Sequence, residues 1–413
     1  MAKLNDILKG IRKSTGSTPA SKSVIGNVEE YYDTGSLALN RVLTGNLFNG
    51  GIPKGRITTF YGESGSGKSL IAAQTASIAL KNGKIDRVFY VDSEAGGLQI
   101  FKTFGVDLDC VEHIPVVSVE DMGVKLLKLL DALIEAHNEH MKNPDTEDEI
   151  RSIIILDSLG VRADKVLTDA VKKDQMVQDM GLTAKLKNTM MSACMMRVPL
   201  ANTTMIVINH AYDNPGAMFT SKVKAMGGGK LIEYASHVIV QCSKLLIKKG
   251  DADFETDENA DDGKTGFFGG NRMKFFLVKN REAIPGYEAT VYIDFKHGMT
   301  KYDGLIDDAI AYGFVTTVHG GYSVPTYNDG KKIKFSTLAT SDEVWNTFID
   351  KFNEESQKRM TYSTAITREL DQMEEDMDNE TKSAMDEQTI DLSEPDAAEP
   401  ADDLTNESSD LTE

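Results

Sequence analysis

Apolar and polar positions along the chain alternate between short apolar runs and longer amphipathic stretches. Ile57–Tyr61, Val88–Asp92, Ile153–Asp157, Met205–Asn209 and Val238–Cys242 are such runs. They are rich in β-branched or aromatic residues and bounded by turn or polar residues, as strands covered on both faces are. Between the earlier runs the apolar residues move to helical spacing, over Leu70–Lys81, closed by Gly83, and over Met122–His140. Strand, helix and strand in succession predict an α/β fold, a mostly parallel sheet with helices on its faces. Lys274–Val278 and Thr290–Phe295 follow one another closely and predict antiparallel strands at the sheet edge.

The pattern changes at both ends. Residues 1–33 form an arm and linker, in which Leu4, Ile7, Leu8 and Ile11 share one face of a short helix. The arm reads either as a frayed terminus or as a segment that lays its apolar stripe on a neighbouring subunit. Residues 34–301 carry the α/β core; within it Gly250–Asn271 is acidic and glycine-rich and predicts a surface loop or hairpin extension. Residues 302–362 predict a small C-terminal α+β domain, with helices around Leu305–Ile310 and Val344–Phe352. Over residues 363–413 acids dominate and no aromatic residue remains, so a disordered tail is expected.

That tail explains the charge. The 413 residues carry a net −19; residues 369–413 hold 18 acids and one base, a net −17, which leaves −2 on the rest. An anion site must therefore be built locally, and net charge argues neither for nor against a nucleic-acid partner. Cys110, Cys194 and Cys242 are too widely separated for a disulfide framework or a zinc site, and fit a reducing compartment. No apolar run approaches the roughly 20 residues that span a bilayer. A soluble, cytoplasmic protein with no membrane partner and no secretory signal is expected.

The chemistry concentrates at one motif. Gly62-Glu63-Ser64-Gly65-Ser66-Gly67-Lys68-Ser69 matches the phosphate-loop pattern G-x-x-x-x-G-K-[ST] between a predicted strand and a predicted helix. Glycines let the backbone wrap a phosphate, with N–H groups and the helix N-terminus facing the anion. Lys68 would reach the β- and γ-phosphates of ATP, and Ser69 would ligate Mg2+. Asp157, at the C-terminal end of a predicted central strand, is the expected partner of that Mg2+. Glu94 reads equally as a group that orients or deprotonates water and as a solvated loop acid. His210 reads as a γ-phosphate sensor or as a structural residue. His137 and His140 sit three apart on a predicted helix, but without a third ligand they read as a solvated face.

Taken in order, Thr34-Gly-Ser-Leu-Ala-Leu39, Gly51-Ile-Pro-Lys-Gly-Arg-Ile57, the phosphate loop, Tyr90-Val-Asp-Ser-Glu94, Leu156-Asp-Ser158, Met180-Gly-Leu182, Ile208-Asn-His210, Gly227-Gly-Gly229 with Tyr234-Ala-Ser236, and Val278-Lys-Asn-Arg281 resemble the RecA recombinase family. The resemblance covers roughly residues 34–300. The Asp-Ser-Glu and Asn-His variants, the three glycines and the acidic tail are most similar to its UvsX branch, from large tailed phages. The resemblance implies a RecA-like P-loop NTPase core and a DNA-dependent ATPase that forms a helical homopolymer on single-stranded DNA. Such a filament pairs with homologous duplex DNA and exchanges strands in recombination, repair and recombination-dependent replication. A phage single-stranded-DNA-binding protein and a recombination mediator are further implied partners. A ring-forming replicative helicase with the same core is the alternative.

Residue by residue, the resemblance makes Glu94 the water-activating group and puts Phe101 where an aromatic ring stacks on adenine. His210 stands where cellular relatives usually carry Gln. Lys279 and Arg281 match a pair that crosses the subunit interface to the γ-phosphate. Two segments are implied to face DNA. The first, about 160–180, brings Arg162, Lys165, Lys172 and Lys173; the second, about 211–230, brings Lys222, Lys224 and Lys230 beside Gly227, Gly228 and Gly229.

Overall fold

Each of the five apolar runs becomes a strand in the computed structural model. It describes residues 2–20, 23, 26–145, 149–160, 181–212, 223–245, 270–294 and 298–362. The first half holds α1 (Ala2–Thr15), β1 (Tyr31–Tyr32), α2 (Leu37–Thr44), β2 (Ile52–Pro53), β3 (Ile57–Gly62), α3 (Lys68–Lys81), β4 (Arg87–Asp92), α4 (Gln99–Thr103), β5 (Val111–Pro115), α5 (Val119–Lys142) and β6 (Ser152–Asp157). There follow α6 (Leu182–Leu200), β7 (Thr203–Tyr212), β8 (Ala225–Met226), α7 (Lys230–Ala235), β9 (Val238–Leu245), β10 (Gly270–Lys279), β11 (Glu288–Asp294) and β12 (Gly298–Met299). The C-terminal part adds α8 (Ile306–Ala311), β13 (Thr316–Val318), β14 (Gly321–Ser323), β15 (Lys332–Ile333), α9 (Phe335–Thr340), α10 (Asp342–Trp345) and α11 (Ile349–Met360).

Among the described residues the main sheet runs β12-β11-β10-β9-β3-β7-β6-β4-β5, with β8 paired to β7. From β9 to β5 neighbouring strands are parallel; β10, β11 and β12 add in antiparallel order. β3 and β6 are buried at every position, which their unbroken apolar runs require. Register then sets the site: Gly62 lies opposite His210, and Asp92 opposite Asp157, along one C-terminal edge. That edge is where open α/β sheets bind ligands.

Helices cover both faces. Ile153 and Ile155 point into a layer shared with α2 and α3; Ile154 and Leu156 point into one shared with α5 and α6. α5 starts at Ser118, whose hydroxyl accepts from Asp121 N, with Glu120 and Asp121 in the first turn favouring the positive end of the helix dipole.

Residues 302–362, expected as a small C-terminal α+β domain, hold α8 to α11 and a three-stranded sheet, β13-β14-β15. These helices are short, and their apolar faces pack on one another, on α2 and on the β10–β11 end of the sheet, so Tyr302, Leu305, Trp345, Phe348 and Phe352 join the core of Leu39, Val42 and Phe275. Fully buried Arg41 of α2 ties the two parts together, donating to Asp308 at 2.6 Å, Tyr312 at 2.6 Å and Ser356 at 3.1 Å. One compact unit extends to Ala365. The predicted acidic tail lies outside the described residues, as does the 250–271 segment except for Gly270 and Asn271, which open β10.

Several elements escaped the apolar pattern, among them α2, α7, β5 and α6. β5 carries Glu112 and His113, exposed or half-exposed at the sheet edge. α6 has apolar residues all around it: Met190, Met191, Cys194 and Val198 are buried, while Met195, Met196 and Leu200 are exposed. In α1, Leu4, Ile7 and Ile11 are exposed. Among the described residues no helix is long and apolar enough to cross a membrane.

Candidate functional site

β3 runs into the phosphate loop, and α3 opens at Lys68. Gly67, the residue before the helix, has φ 78°, a left-handed conformation that a side chain disfavours. A Cβ there would also stand 3.0 Å from Ile293 Cδ1. Above the loop opens a cavity of about 310 Å3, reached by Ser64 to Ser69, Glu94, Asp157 and His210, with Asn271, Met273 and Ile293 on its far wall.

Lys68 folds over its own loop. Its Nζ donates to Gly62 O at 3.1 Å, Glu63 O at 2.6 Å and Ser66 Oγ at 3.2 Å. Burial lowers the Lys68 pKa, and Cys242, Asp157, Glu94 and Glu63 oppose the fall. Three neutral oxygens thus hold a cation where phosphate oxygens would be stronger partners. Asp157 is buried beside Ser69, and Tyr90 Oη donates to its Oδ2 at 3.0 Å. Burial pushes the Asp157 carboxyl above the usual range, Ser69 and Tyr90 hold it down, and Glu94 and Asp92 push it up again. A hydroxyl and a carboxylate in a pocket that penalises uncompensated negative charge fit a hard divalent cation such as Mg2+.

Glu94 and His210 meet. Ser158 Oγ donates to Glu94 Oε1 at 2.6 Å and lies 3.2 Å from His210 Nε2, while Glu94 Oε1 and His210 Nε2 are 3.3 Å apart. Ser158 stands in the Leu156-Asp-Ser158 motif, but the sequence assigns it no role; its contacts with Glu94 and His210 supply one. The same strand end reaches the glycine run: Gly227 N donates to His210 O at 3.2 Å, and Asn209 Nδ2 donates to Gly227 O at 2.7 Å.

Phe101 does not reach the cavity. It is fully buried and packs edge-on against Tyr90 at 5.4 Å, whereas Ile100 faces the cavity. The adenine-stacking expectation is corrected on this point: a ring closed into the core offers no face to a base.

Lys279 and Arg281 also lie away from the cavity. Lys279 Nζ donates to Ser236 O at 2.7 Å and to Glu233 O, and Arg281 Nη2 donates to Tyr234 O at 3.2 Å. Both cations thus sit at the C-terminal end of α7, where helix carbonyls attract positive charge. Burial, reinforced by Arg281, pushes the Lys279 pKa down to about 8.

Of the residues expected to face DNA, Arg162, Lys165, Lys172, Lys173 and Lys222 lie outside the described residues. Lys224 forms an ion pair with Glu63 of the phosphate loop, and its N–H donates to Gln241 Oε1 at 2.7 Å. Lys230 opens α7 and is exposed. Gly228 and Gly229 pack on Lys187 and Asn188 of α6, two residues the sequence reading missed. A Cβ on Gly229 would stand 2.8 Å from Asn188 Nδ2. His137 pairs with Glu149 at 2.8 Å, and among the described residues no group of three or more His, Cys, Asp or Glu side chains could hold a metal ion.

Residues 3–300 match the model of the RecA N-terminal domain. The chain is 28% identical to protein RecA of Streptomyces venezuelae over 295 residues, covering 71% of this chain and 68% of that protein. It is 27% identical to protein RecA of Clostridioides difficile over 336 residues, covering 79% and 83%. The mitochondrial DNA repair protein recA homolog of Dictyostelium discoideum is 26% identical over 404 residues, covering 92% and 80%. With its family model matched over most of its length, the chain belongs to the RecA family.

Proposed function

We propose that the protein is a DNA-dependent ATPase and recombinase that assembles on single-stranded DNA and exchanges strands with a homologous duplex. One observation carries the reading. Lys68, Ser69, Glu94, Asp157 and His210 gather at one cavity, while Lys279 and Arg281, at the end of β10, lie apart from it against the C-terminal end of α7. A site divided in this way is completed by a second copy, and repeated head-to-tail association builds a filament. The exposed Leu4, Ile7 and Ile11 of α1 supply an apolar stripe for the same assembly.

In the proposed mechanism Lys68 leaves its loop carbonyls for the β- and γ-phosphates. Mg2+ held by Ser69 and Asp157 would offset phosphate charge. Glu94 takes a proton from water as the water oxygen bonds to the γ-phosphorus; the bond to the bridging oxygen breaks, leaving ADP and phosphate. Lys279 and Arg281 from the adjacent protomer stabilise charge on the transferred group. His210 reports the γ-phosphate to Gly227 through the backbone bond between them. Lys224 and Lys230, on either side of the glycine run, then meet DNA phosphates, which gives affinity without sequence reading.

The Asp92-Ser93-Glu94 and Asn209-His210 variants and the three glycines favour the phage UvsX type, with a single-stranded-DNA-binding protein and a mediator as partners. The repair name of the Dictyostelium relative favours recombination over a ring helicase. A strand-exchange assay with matched circular single-stranded and linear duplex DNA tests the function. Joint molecules that require ATP and homology are expected; fork unwinding without pairing would overturn the reading.

A further inference from the structure

We propose that Asp92 and His113 form a positioning pair for Glu94, fixing the loop that aims this carboxylate at water. The inference rests on the hydrolytic role proposed for Glu94 and adds two residues that touch neither nucleotide nor metal in that mechanism.

Asp92 ends β4, and its carboxylate is buried. Oδ1 accepts from the N–H of Glu94 at 2.8 Å and of Ala95 at 2.9 Å. Those two bonds turn the chain sharply, and Ala95 takes φ 57°, in the left-handed region that L-residues seldom adopt. Two residues on, Gly97 crosses the Tyr90 hydroxyl so closely that a Cβ would stand 1.6 Å from Tyr90 Oη. The loop is therefore clamped at one end by the Asp92 carboxylate and at the other by Tyr90, which itself bonds Asp157. Between the clamps the Glu94 side chain reaches Ser158 and His210.

One oxygen of Asp92 is used by the loop. The other, Oδ2, lies 3.1 Å from His113 Nε2. His113 sits on β5 opposite Tyr90, with its ring nearly parallel to the tyrosine at 6.2 Å and about a third of its side chain exposed. Neither Asp92 nor His113 lines the nucleotide cavity. A buried carboxylate oxygen that loses its donor seeks another by rotating, because leaving it unsatisfied is costly. Rotation of Asp92 disturbs the two N–H bonds that set the height of Glu94. Hydrolysis then suffers while phosphate binding does not.

The test uses full-length protein with poly(dT) and ATP. His113→Leu is expected to lower kcat about tenfold, within the range that a small misplacement of a reacting group produces. ATP affinity should stay within about twofold, because the phosphate loop is untouched. His113→Gln, which can still donate to Asp92, should recover most of the rate. A His113→Leu enzyme with unchanged kcat would overturn the pair, as would equal losses of kcat and ATP affinity or a His113→Gln enzyme as slow as the leucine variant. Glu94→Gln run alongside separates the two ideas: full turnover there removes the base itself, whereas a dead Glu94→Gln with a normal His113→Leu removes only the positioning pair.

Discussion

Glu94 Oε1 lies 3.3 Å from His210 Nε2, with the Ser158 hydroxyl bonded to the carboxylate and within reach of the imidazole. The proposed base and the proposed sensor thus touch. Glu94→Gln keeps the shape of this contact but cannot take a proton. Hydrolysis should fall by about 10²–10⁴-fold, with ATP-dependent DNA binding retained, as read by phosphate release and by fluorescence anisotropy on labelled single-stranded DNA.

Lys279 makes the pH dependence specific. Its pKa is lowered to about 8, so in the free protomer it is charged below that pH and neutral above it. A γ-phosphate from a neighbour favours the charged form, so assembly with ATP should take up protons near pH 8 and weaken as pH rises towards 9. Lys279→Arg stays charged throughout and should flatten the profile of DNA-stimulated hydrolysis.

The Glu63–Lys224 ion pair joins the phosphate loop to the segment leading into the glycine run. Both side chains are partly exposed, so the pair itself adds little stability. If Lys224 contacts DNA phosphate, Lys224→Met should weaken binding for all sequences alike and reduce the salt slope by about one. Glu63→Gln should strengthen binding in the absence of ATP. Titrations from low to moderate salt measure both.

Arg41 offers a stability test away from the chemistry. Arg41→Met removes the cation facing Asp308, whose carboxyl burial already pushes above the usual range. About 3 kcal/mol of unfolding free energy should be lost, seen as a lower denaturant midpoint.

The parallel sheet and the phosphate loop were legible because each is a local pattern: unbroken β-branched runs in one case, eight contiguous residues in the other. Asp157 was legible from its place at the end of such a run. Ser158, Asp92 and His113 were not, because their meaning comes from strand register, which joins β4 to β5 across 23 positions of sequence and β4 to β6 across 65. Phe101 and Ile100 show the limit of single-position reading, since one step along α4 exchanges the core for the cavity. β5 escaped because its polar edge residues break the apolar run, and α6 because its apolar residues surround the helix. Lys279 and Arg281 were accessible only through resemblance, as nothing in a Val-Lys-Asn-Arg stretch points to a distant phosphate.

The divided site is tested most directly by mixing two inactive variants. Glu94→Gln lacks the base but keeps Lys279 and Arg281; the double variant Lys279→Ala, Arg281→Ala keeps the base but lacks the cations. ATP bound between protomers predicts that the mixture, assembled on single-stranded DNA, hydrolyses ATP although neither variant does so alone. A mixture as inactive as its parts, with both proteins bound on the same DNA, would contradict the shared site.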